Sequence, residues 1–132
     1  MNNEINYLHS NTTEIILKCY FDVYNKLGFG FLEKVYENAM LIELREAGLT
    51  VSNQVPIEVF YKKEKVGNYF ADLLVNDNVI VELKAGEGEI IEEHEVQLIN
   101  YLRATTIEVG LVLLFGKKPQ FKRKVFTNNL KK

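Results

Sequence analysis

Apolar residues recur at three- and four-residue steps in three stretches of the chain, which is the spacing of amphipathic helices. The predicted helices cover 11–27, 32–47 and 91–104. Gly28 and Gly48 directly follow the first two stretches, at the position where glycine commonly ends a helix. Asn11 and Glu14 have the spacing of a capping box at the first helix start. The pattern therefore predicts two consecutive helices and a third one later.

Between the second and third helices the pattern changes to short β-branched and apolar runs separated by turn formers. These runs predict strands over 51–61, 66–75 and 79–85. After the third helix, 108–115 is almost continuously apolar, as expected for a central strand covered on both faces, and 121–126 predicts a last strand. The order predicts an α/β fold with a mixed central sheet flanked by helices, in which the third helix crosses over to a parallel strand.

Size and composition are those of one soluble globular domain over 1–132, with 47% hydrophobic and 26% charged residues. We expect the first ten residues to be poorly ordered. No apolar run approaches the length of a membrane span, and the start lacks the features of a signal peptide. Cys19 is the single cysteine, which excludes an internal disulfide. We therefore expect a cytoplasmic protein with no membrane partner.

The net charge of −2 conceals an uneven distribution. Six glutamates fall within 82–95, whereas the segment 117–132 carries seven lysines or arginines and no acid. Such a basic C-terminal segment beside an acidic centre is typical of a phosphate-binding edge next to a metal site. A solvated tail that keeps the protein soluble explains the segment equally well.

Three ionisable residues interrupt the second and third predicted strands: Asp72, Glu82 and Lys84. A charge in a buried strand costs several kcal/mol unless it is paired or binds a metal. Strand alternation places Glu82 and Lys84 on one face, and the short turn at 76–78 brings Asp72 and Glu82 to comparable depth. Two facing carboxylates favour Mg²⁺ or Mn²⁺, and a nearby lysine can order a water or stabilise phosphate charge.

Residues on two helices could complete such a site. Glu33, near the start of the second helix, could add a third carboxylate directly or through water. His94, Gln97 and Tyr101 fall at i, i+3 and i+7 of the third helix, on one face. That face could position a phosphate with neutral donors.

Each residue also has a purely structural interpretation. Glu82 and Lys84 could form an ion pair on an exposed strand, and Asp72 could end a strand. Glu33 could be an acid favoured by the helix dipole, and His94 a surface histidine. Tyrosines on the helices, including Tyr101, are often core aromatics with a bonded hydroxyl. The combination of residue types on the expected elements favours a site.

Asp72 followed by Glu82-Leu83-Lys84 on the next strand resembles the signature of the PD-(D/E)XK nuclease superfamily, with Ala71 in place of the proline. The element order is similar to the αβββαβ core of that superfamily, whose fold is restriction-endonuclease-like. The run from Gly30 to Tyr36 resembles the motif of the GxxExxY family, a group of small bacterial and archaeal proteins. The resemblance to that family covers about 13–116.

The resemblance implies roles for the candidate residues. It implies that Asp72 and Glu82 are metal ligands, that Glu33 is the first-helix acid, and that Lys84 is the catalytic lysine. It further implies that Gln97 and Tyr101 form the Gln-x-x-x-Tyr feature of the helix after the site. Gln97 and His94 would then fix the substrate phosphate.

These observations predict a nuclease that uses Mg²⁺ or Mn²⁺ to hydrolyse nucleic acid, with DNA as the expected substrate. The main alternative is a catalytically silent module that binds nucleic acid or protein and retains the fold. Hydrolysis of a small phosphorylated metabolite is a third hypothesis, which predicts a closed pocket. A homodimer could present two basic segments across one duplex.

Overall fold

The computed structural model describes residues 8–131. Residues 1–7, which include most of the predicted poorly ordered start, lie outside the described residues. Within 8–131 the elements are α1 (Ser10–Leu27), α2 (Glu33–Glu46), β1 (Val51–Tyr61), β2 (Glu64–Val75), β3 (Val79–Ala85), α3 (Glu92–Ala104), β4 (Val109–Phe115), β5 (Pro119–Val125) and a short 3₁₀ helix (Asn128–Leu130). None of the helices in this range is long and apolar enough to cross a membrane.

The strands form one five-stranded mixed sheet in the order β1-β2-β3-β4-β5. The meander β1-β2-β3 is antiparallel, and α3 carries the chain to β4, which is parallel to β3. β5 returns antiparallel to β4. The predicted α/β fold class and the predicted element order are therefore confirmed.

Helices cover both faces of this sheet. On one face, α1 and α2 bury large side chains such as Tyr20 and Met40 against apolar residues of β2, β3 and β4. On the other face, α3 packs Leu98 and Leu102 against Ile80 and its neighbours. All seven residues of β4 are buried, as the continuous apolar run predicted. The sheet thus separates two apolar cores.

The start of α1 differs from the expectation. The helix begins at Ser10, after His9 at φ 53°, and the N-cap makes no side-chain hydrogen bond. Thr13 Oγ1 instead donates to the Ser10 carbonyl at 3.1 Å. The predicted capping box of Asn11 and Glu14 is wrong because both residues already lie inside the helix.

The pairing of β2 with its two neighbours creates a fork in the sheet. β2 pairs with β3 only over Leu73–Val75, the last pair being Leu73 with Val81. Beyond that pair β2 stays bonded to β1, and β3 stays bonded to β4. Asp72 and Glu82 are the next residues on the two strands, so the fork opens at these two acids.

Candidate active site

The carboxylates of Asp72 and Glu82 replace the missing ladder bonds at the fork. The Asp72 backbone N–H donates to Glu82 Oε2 at 2.8 Å. The Leu83 backbone N–H donates to Asp72 Oδ2 at 2.8 Å. Each carboxylate uses only one of its two oxygens in these bonds. The register, whose last pair is Leu73 with Val81, places the two acids at comparable depth on neighbouring strands, as predicted.

Burial makes a full double charge on this pair unfavourable. Glu82 is 3% exposed, and burial together with the Asp72 charge raises the pKa of Glu82 to about 8. Burial also raises the pKa of Asp72, although the Leu83 N–H and the Lys84 charge act in the opposite direction. A divalent cation beside both groups would favour their ionised forms.

Lys84 lies next to the acids but does not pair with them. Its Nζ is 3.4 Å from Gln97 Oε1 on α3. Among the described residues, Lys84 forms no ion pair within 4 Å. Its charge nevertheless acts to lower the pKa of Asp72 and of Glu82, against the larger effect of burial, which raises both. An amine in this place can contact a bound anion without first breaking a salt bridge.

Glu33 has only a small electrostatic effect on the pair. It is the exposed first residue of α2, and its charge is the smallest of the causes that raise the pKa of Glu82. Within 8–131, no group of three or more His, Cys, Asp or Glu side chains is arranged to hold a metal. The third carboxylate therefore stays a prediction, with contact through water as the form consistent with this placement.

His94 and Tyr101, the other two candidates on α3, differ in their surroundings. His94 Nδ1 accepts the Ile91 N–H at 3.4 Å, and burial followed by the Lys84 charge lowers the pKa of His94. Tyr101 is 6% exposed; burial, then the charges of Glu82 and Asp72, raise its pKa to about 12. His94 thus caps its own helix beside Lys84, whereas Tyr101 is a buried aromatic facing the acids.

Sequence reasoning missed a second buried carboxylate. Glu37 on α2 is 5% exposed and accepts hydrogen bonds from Lys34 Nζ at 3.0 Å, Asn53 Nδ2 at 3.0 Å and Gln54 Nε2 at 2.8 Å. Burial raises its pKa, but these bonds outweigh burial and the net shift is downward. Glu37 lies on the same buried helical face as Leu41 and Leu44, and that placement was the available signal.

Gln54, which donates to this carboxylate, lies on β1 opposite Asp72 of the fork. Gln54 adopts φ 51°, a left-handed conformation that is uncommon for a residue other than glycine. The Glu37 charge raises the pKa of Asp72, and hydrogen bonding by Gln54 lowers it. Glu37 and Gln54 therefore support the site from the face opposite α3.

The surroundings of Glu82, Asp72 and Tyr36 distinguish between a structural role and a site role for each residue. An exposed Glu82–Lys84 ion pair is wrong because Glu82 is buried and the pair is absent from the described ion pairs. A strand end at Asp72 is wrong because β2 continues to Val75. Tyr36 is a core aromatic whose hydroxyl donates to the Gly28 carbonyl at 2.8 Å.

Part of the basic C-terminal segment is engaged in the fold. Lys124 pairs with Glu95 and Lys117 pairs with Glu87. Arg123 donates to the Leu8 carbonyl, and Lys131 donates to the carbonyls of Thr105 and Ile107. These contacts leave fewer free cations for a phosphate backbone than the sequence suggested.

A family model of the PD-(D/E)XK nuclease superfamily matches residues 10–124. Nucleases of that superfamily typically use divalent metal ions. Among solved structures, the crystal structure of SSO0001 superposes with a TM-score of 0.59 at 13% identity and covers 95% of this chain. The chain spans 63% of that protein's length, and at 13% identity the likeness shows the fold alone. No curated protein sequence is significantly similar.

Proposed function

Because the chain belongs to the PD-(D/E)XK nuclease superfamily, we propose that it hydrolyses phosphodiester bonds of nucleic acid with a divalent metal ion. DNA is the proposed substrate and Mg²⁺ or Mn²⁺ the proposed metal. The motif from Gly30 to Tyr36 further supports membership of the GxxExxY family.

Asp72 and Glu82 are the proposed metal ligands. Both offer carboxylate oxygens, which Mg²⁺ and Mn²⁺ prefer, and each keeps an oxygen free of the two backbone bonds at the fork. Mg²⁺ commonly binds through one or two carboxylates together with waters and phosphate oxygens, so a third protein carboxylate is not required. When bound, the metal would lower the pKa of a coordinated water and neutralise phosphate charge.

Lys84 and the α3 side chains would act on the substrate. The Lys84 ammonium would donate to a non-bridging phosphate oxygen or hold the attacking water. Gln97, 3.4 Å from Lys84 Nζ, would orient that amine and offer its amide to the phosphate. His94 would be a neutral donor at neutral pH because its pKa is lowered. Glu33 would contact the metal through water.

The single observation that supports this proposal most strongly is the pair of buried carboxylates at the fork. A buried acid pair is costly in a protein that does not use it. Its location beside Lys84, in a chain of this superfamily, favours metal-dependent hydrolysis over a structural role.

Cleavage of end-labelled single-stranded and duplex DNA and RNA, with and without Mg²⁺ or Mn²⁺, tests the proposal. We expect metal-dependent cleavage that Asp72→Asn, Glu82→Gln and Lys84→Ala each reduce by at least a hundredfold. The matched controls are Glu46→Gln and Lys26→Ala, which remove exposed charges on α2 and α1. These controls should cut at the wild-type rate.

Three outcomes would contradict the proposal. Undiminished cleavage by the fork variants would show that the chemistry lies elsewhere. Metal-independent, salt-sensitive binding without cleavage would favour the silent module. Hydrolysis of small phosphorylated metabolites in preference to polymers would favour the third hypothesis.

A further inference from the structure

A cleft of about 970 Å³ lies between the β1–β2 hairpin and α3. Its walls are mainly apolar and aromatic, formed by Val59, Phe60, Val66, Tyr69, Val96 and Tyr101. Phe60 is 57% exposed and Tyr69 is 51% exposed. Large apolar side chains grouped on one exposed surface indicate a binding site rather than ordinary surface.

The cleft is continuous with the candidate active site through α3. Gln97 lines the cleft and also lies 3.4 Å from Lys84 Nζ. Tyr101 lines the cleft, its ring centroid is 6.0 Å from that of Tyr69, and the Glu82 and Asp72 charges act on its hydroxyl. A phosphodiester held at the fork would therefore place an adjoining nucleotide at the mouth of the cleft.

We propose, on the basis of the nuclease function above, that the cleft binds the bases of unpaired nucleotides next to the scissile phosphate. Phe60 and Tyr69 provide faces on which a base can stack, and such stacking tolerates any base sequence. Asn100 and Gln97 add amides that can bond to base edges. Glu92 and Glu93 line the cleft with a single cation, Arg103, so the lining carries a net negative charge that disfavours phosphates and favours bases there.

The occupant has to be unpaired because the faces of paired bases are covered by their neighbours in a duplex. An aromatic cleft can reach a base only in a single strand, a loop, a flap or a base turned out of the helix. The backbone of such a strand would pass Lys62 and Lys63, which are exposed at the hairpin turn beyond the cleft. The substrate class assigned here is therefore nucleic acid with an unpaired segment at the cleavage point.

Fluorescence anisotropy with labelled oligonucleotides tests this assignment on the full chain. Ca²⁺ replaces Mg²⁺, and gels verify that the strands stay intact. We expect single strands, DNA or RNA, to bind at least tenfold more tightly than a blunt duplex of the same sequence. Phe60→Ala and Tyr69→Ala should each weaken single-strand binding about tenfold. Ile42→Ala, which trims an exposed apolar residue on α2, should not.

A second readout follows stacking directly. A strand carrying 2-aminopurine beside the cleavage point should lose fluorescence on binding the wild type, and Tyr69→Ala should abolish this loss. Unchanged thermal unfolding of Phe60→Ala and Tyr69→Ala would establish that these variants fold.

Three results would overturn the assignment: equal or tighter binding of duplex, single-strand affinity unaffected by both substitutions, or a dimer at assay concentration that Phe60→Ala dissociates. The last result would identify a second copy of the chain as the occupant. Mg²⁺-dependent cleavage is measured on the same preparations. Cleavage without single-strand preference contradicts only this inference, whereas single-strand preference without cleavage by any preparation contradicts the nuclease proposal.

Discussion

At the scale of single residues, two buried acids differ in how easily they ionise. Ionisation of Glu82 is unfavourable, whereas hydrogen bonds stabilise the Glu37 carboxylate. Glu82 is buried beside Asp72, and its pKa is raised to about 8. Glu37 is equally buried, but it accepts bonds from a lysine and two amides and its pKa is lowered. Burial raises the pKa of both carboxylates, but only Glu37 has enough hydrogen-bond donors for the net shift to be downward.

Glu82→Gln should stabilise the metal-free protein at alkaline pH. The folded state retains the Glu82 proton up to about pH 8, whereas the unfolded chain loses it near pH 4.5, so wild-type stability falls as pH rises through this window. Unfolding in EDTA should give a Tm about 5 °C higher for Glu82→Gln at pH 8.5. The two proteins should differ little at pH 4.

The control for this measurement is Glu46→Gln, which removes an exposed acid and should leave Tm unchanged at both pH values. A lower Tm for Glu82→Gln than for wild type at pH 8.5 would contradict the raised pKa. Adding Mg²⁺ should raise the Tm of the wild type more than that of Glu82→Gln, because ligand binding stabilises the folded state.

Glu37→Ala should destabilise the fold by about 0.5–1.5 kcal/mol, since it removes the buried acceptor of the Asn53 and Gln54 amide hydrogen bonds, whose donors are exposed and can bond to water. It should also slow cleavage, because Gln54, which donates to Glu37, lies opposite Asp72 between the β1–β2 pairs Asn53–Leu73 and Val55–Ala71. Urea unfolding at pH 7 measures the first effect. Glu37→Gln, which keeps an acceptor oxygen, should lose less stability, and an equal loss would argue that charge alone matters.

At the scale of elements, Gly110 permits close packing of α3 against the sheet. A Cβ on Gly110 of β4 would lie 2.5 Å from Leu98 Cδ1 and 3.2 Å from the Ile80 carbonyl oxygen. α3 can therefore approach the sheet closely enough for Gln97 to reach Lys84. The position of the candidate catalytic side chain of Gln97 thus depends on the packing of its neighbour in sequence, Leu98.

Gly110→Ala should push α3 outward and destabilise the protein by about 1–3 kcal/mol through overpacking. In a Leu98→Ala background the same change should cost less, because the clashing side chain is gone. Urea unfolding of the four proteins in this double-mutant cycle provides the measurement. Strict additivity of the two changes would contradict the proposed contact.

The elements and the acid pair were accessible from the sequence, whereas the supporting contacts were not. A short turn at 76–78 between two apolar runs determines which residues face each other, so Asp72 and Glu82 could be paired in advance. Gln54 could not be anticipated, because a left-handed glutamine depends on tertiary contacts that override its propensity. The predicted capping box at Asn11 was wrong because the residues before it also determine where the helix begins, and α1 already begins at Ser10.

At the scale of the whole molecule, charge is distributed for a local contact rather than for wrapping a long duplex. The net charge is −2, and in the C-terminal segment Arg123, Lys124 and Lys131 are bonded within the fold, which leaves Lys118 and Lys122 exposed without an ion pair among the described residues. Around the cleft, Lys62 and Lys63 lie on the hairpin turn and Arg103 lines its wall. Few phosphates can therefore be neutralised at once.

A shallow salt dependence follows from this distribution. Neutralising two to four phosphates of a single strand predicts a slope of log K against log salt between about −1 and −3. Anisotropy titrations from 20 to about 200 mM salt would measure it. A slope steeper than about −5 would show that the basic C-terminal segment makes extensive backbone contacts after all.

The central claim is that Asp72 and Glu82 together bind a divalent metal ion at the fork. The most direct test is anomalous diffraction from a crystal soaked in Mn²⁺. The account predicts a peak within about 2.0–2.5 Å of an oxygen of each carboxylate. A saturating soak that leaves the fork without a peak, or that places Mn²⁺ only at other acids, would contradict it.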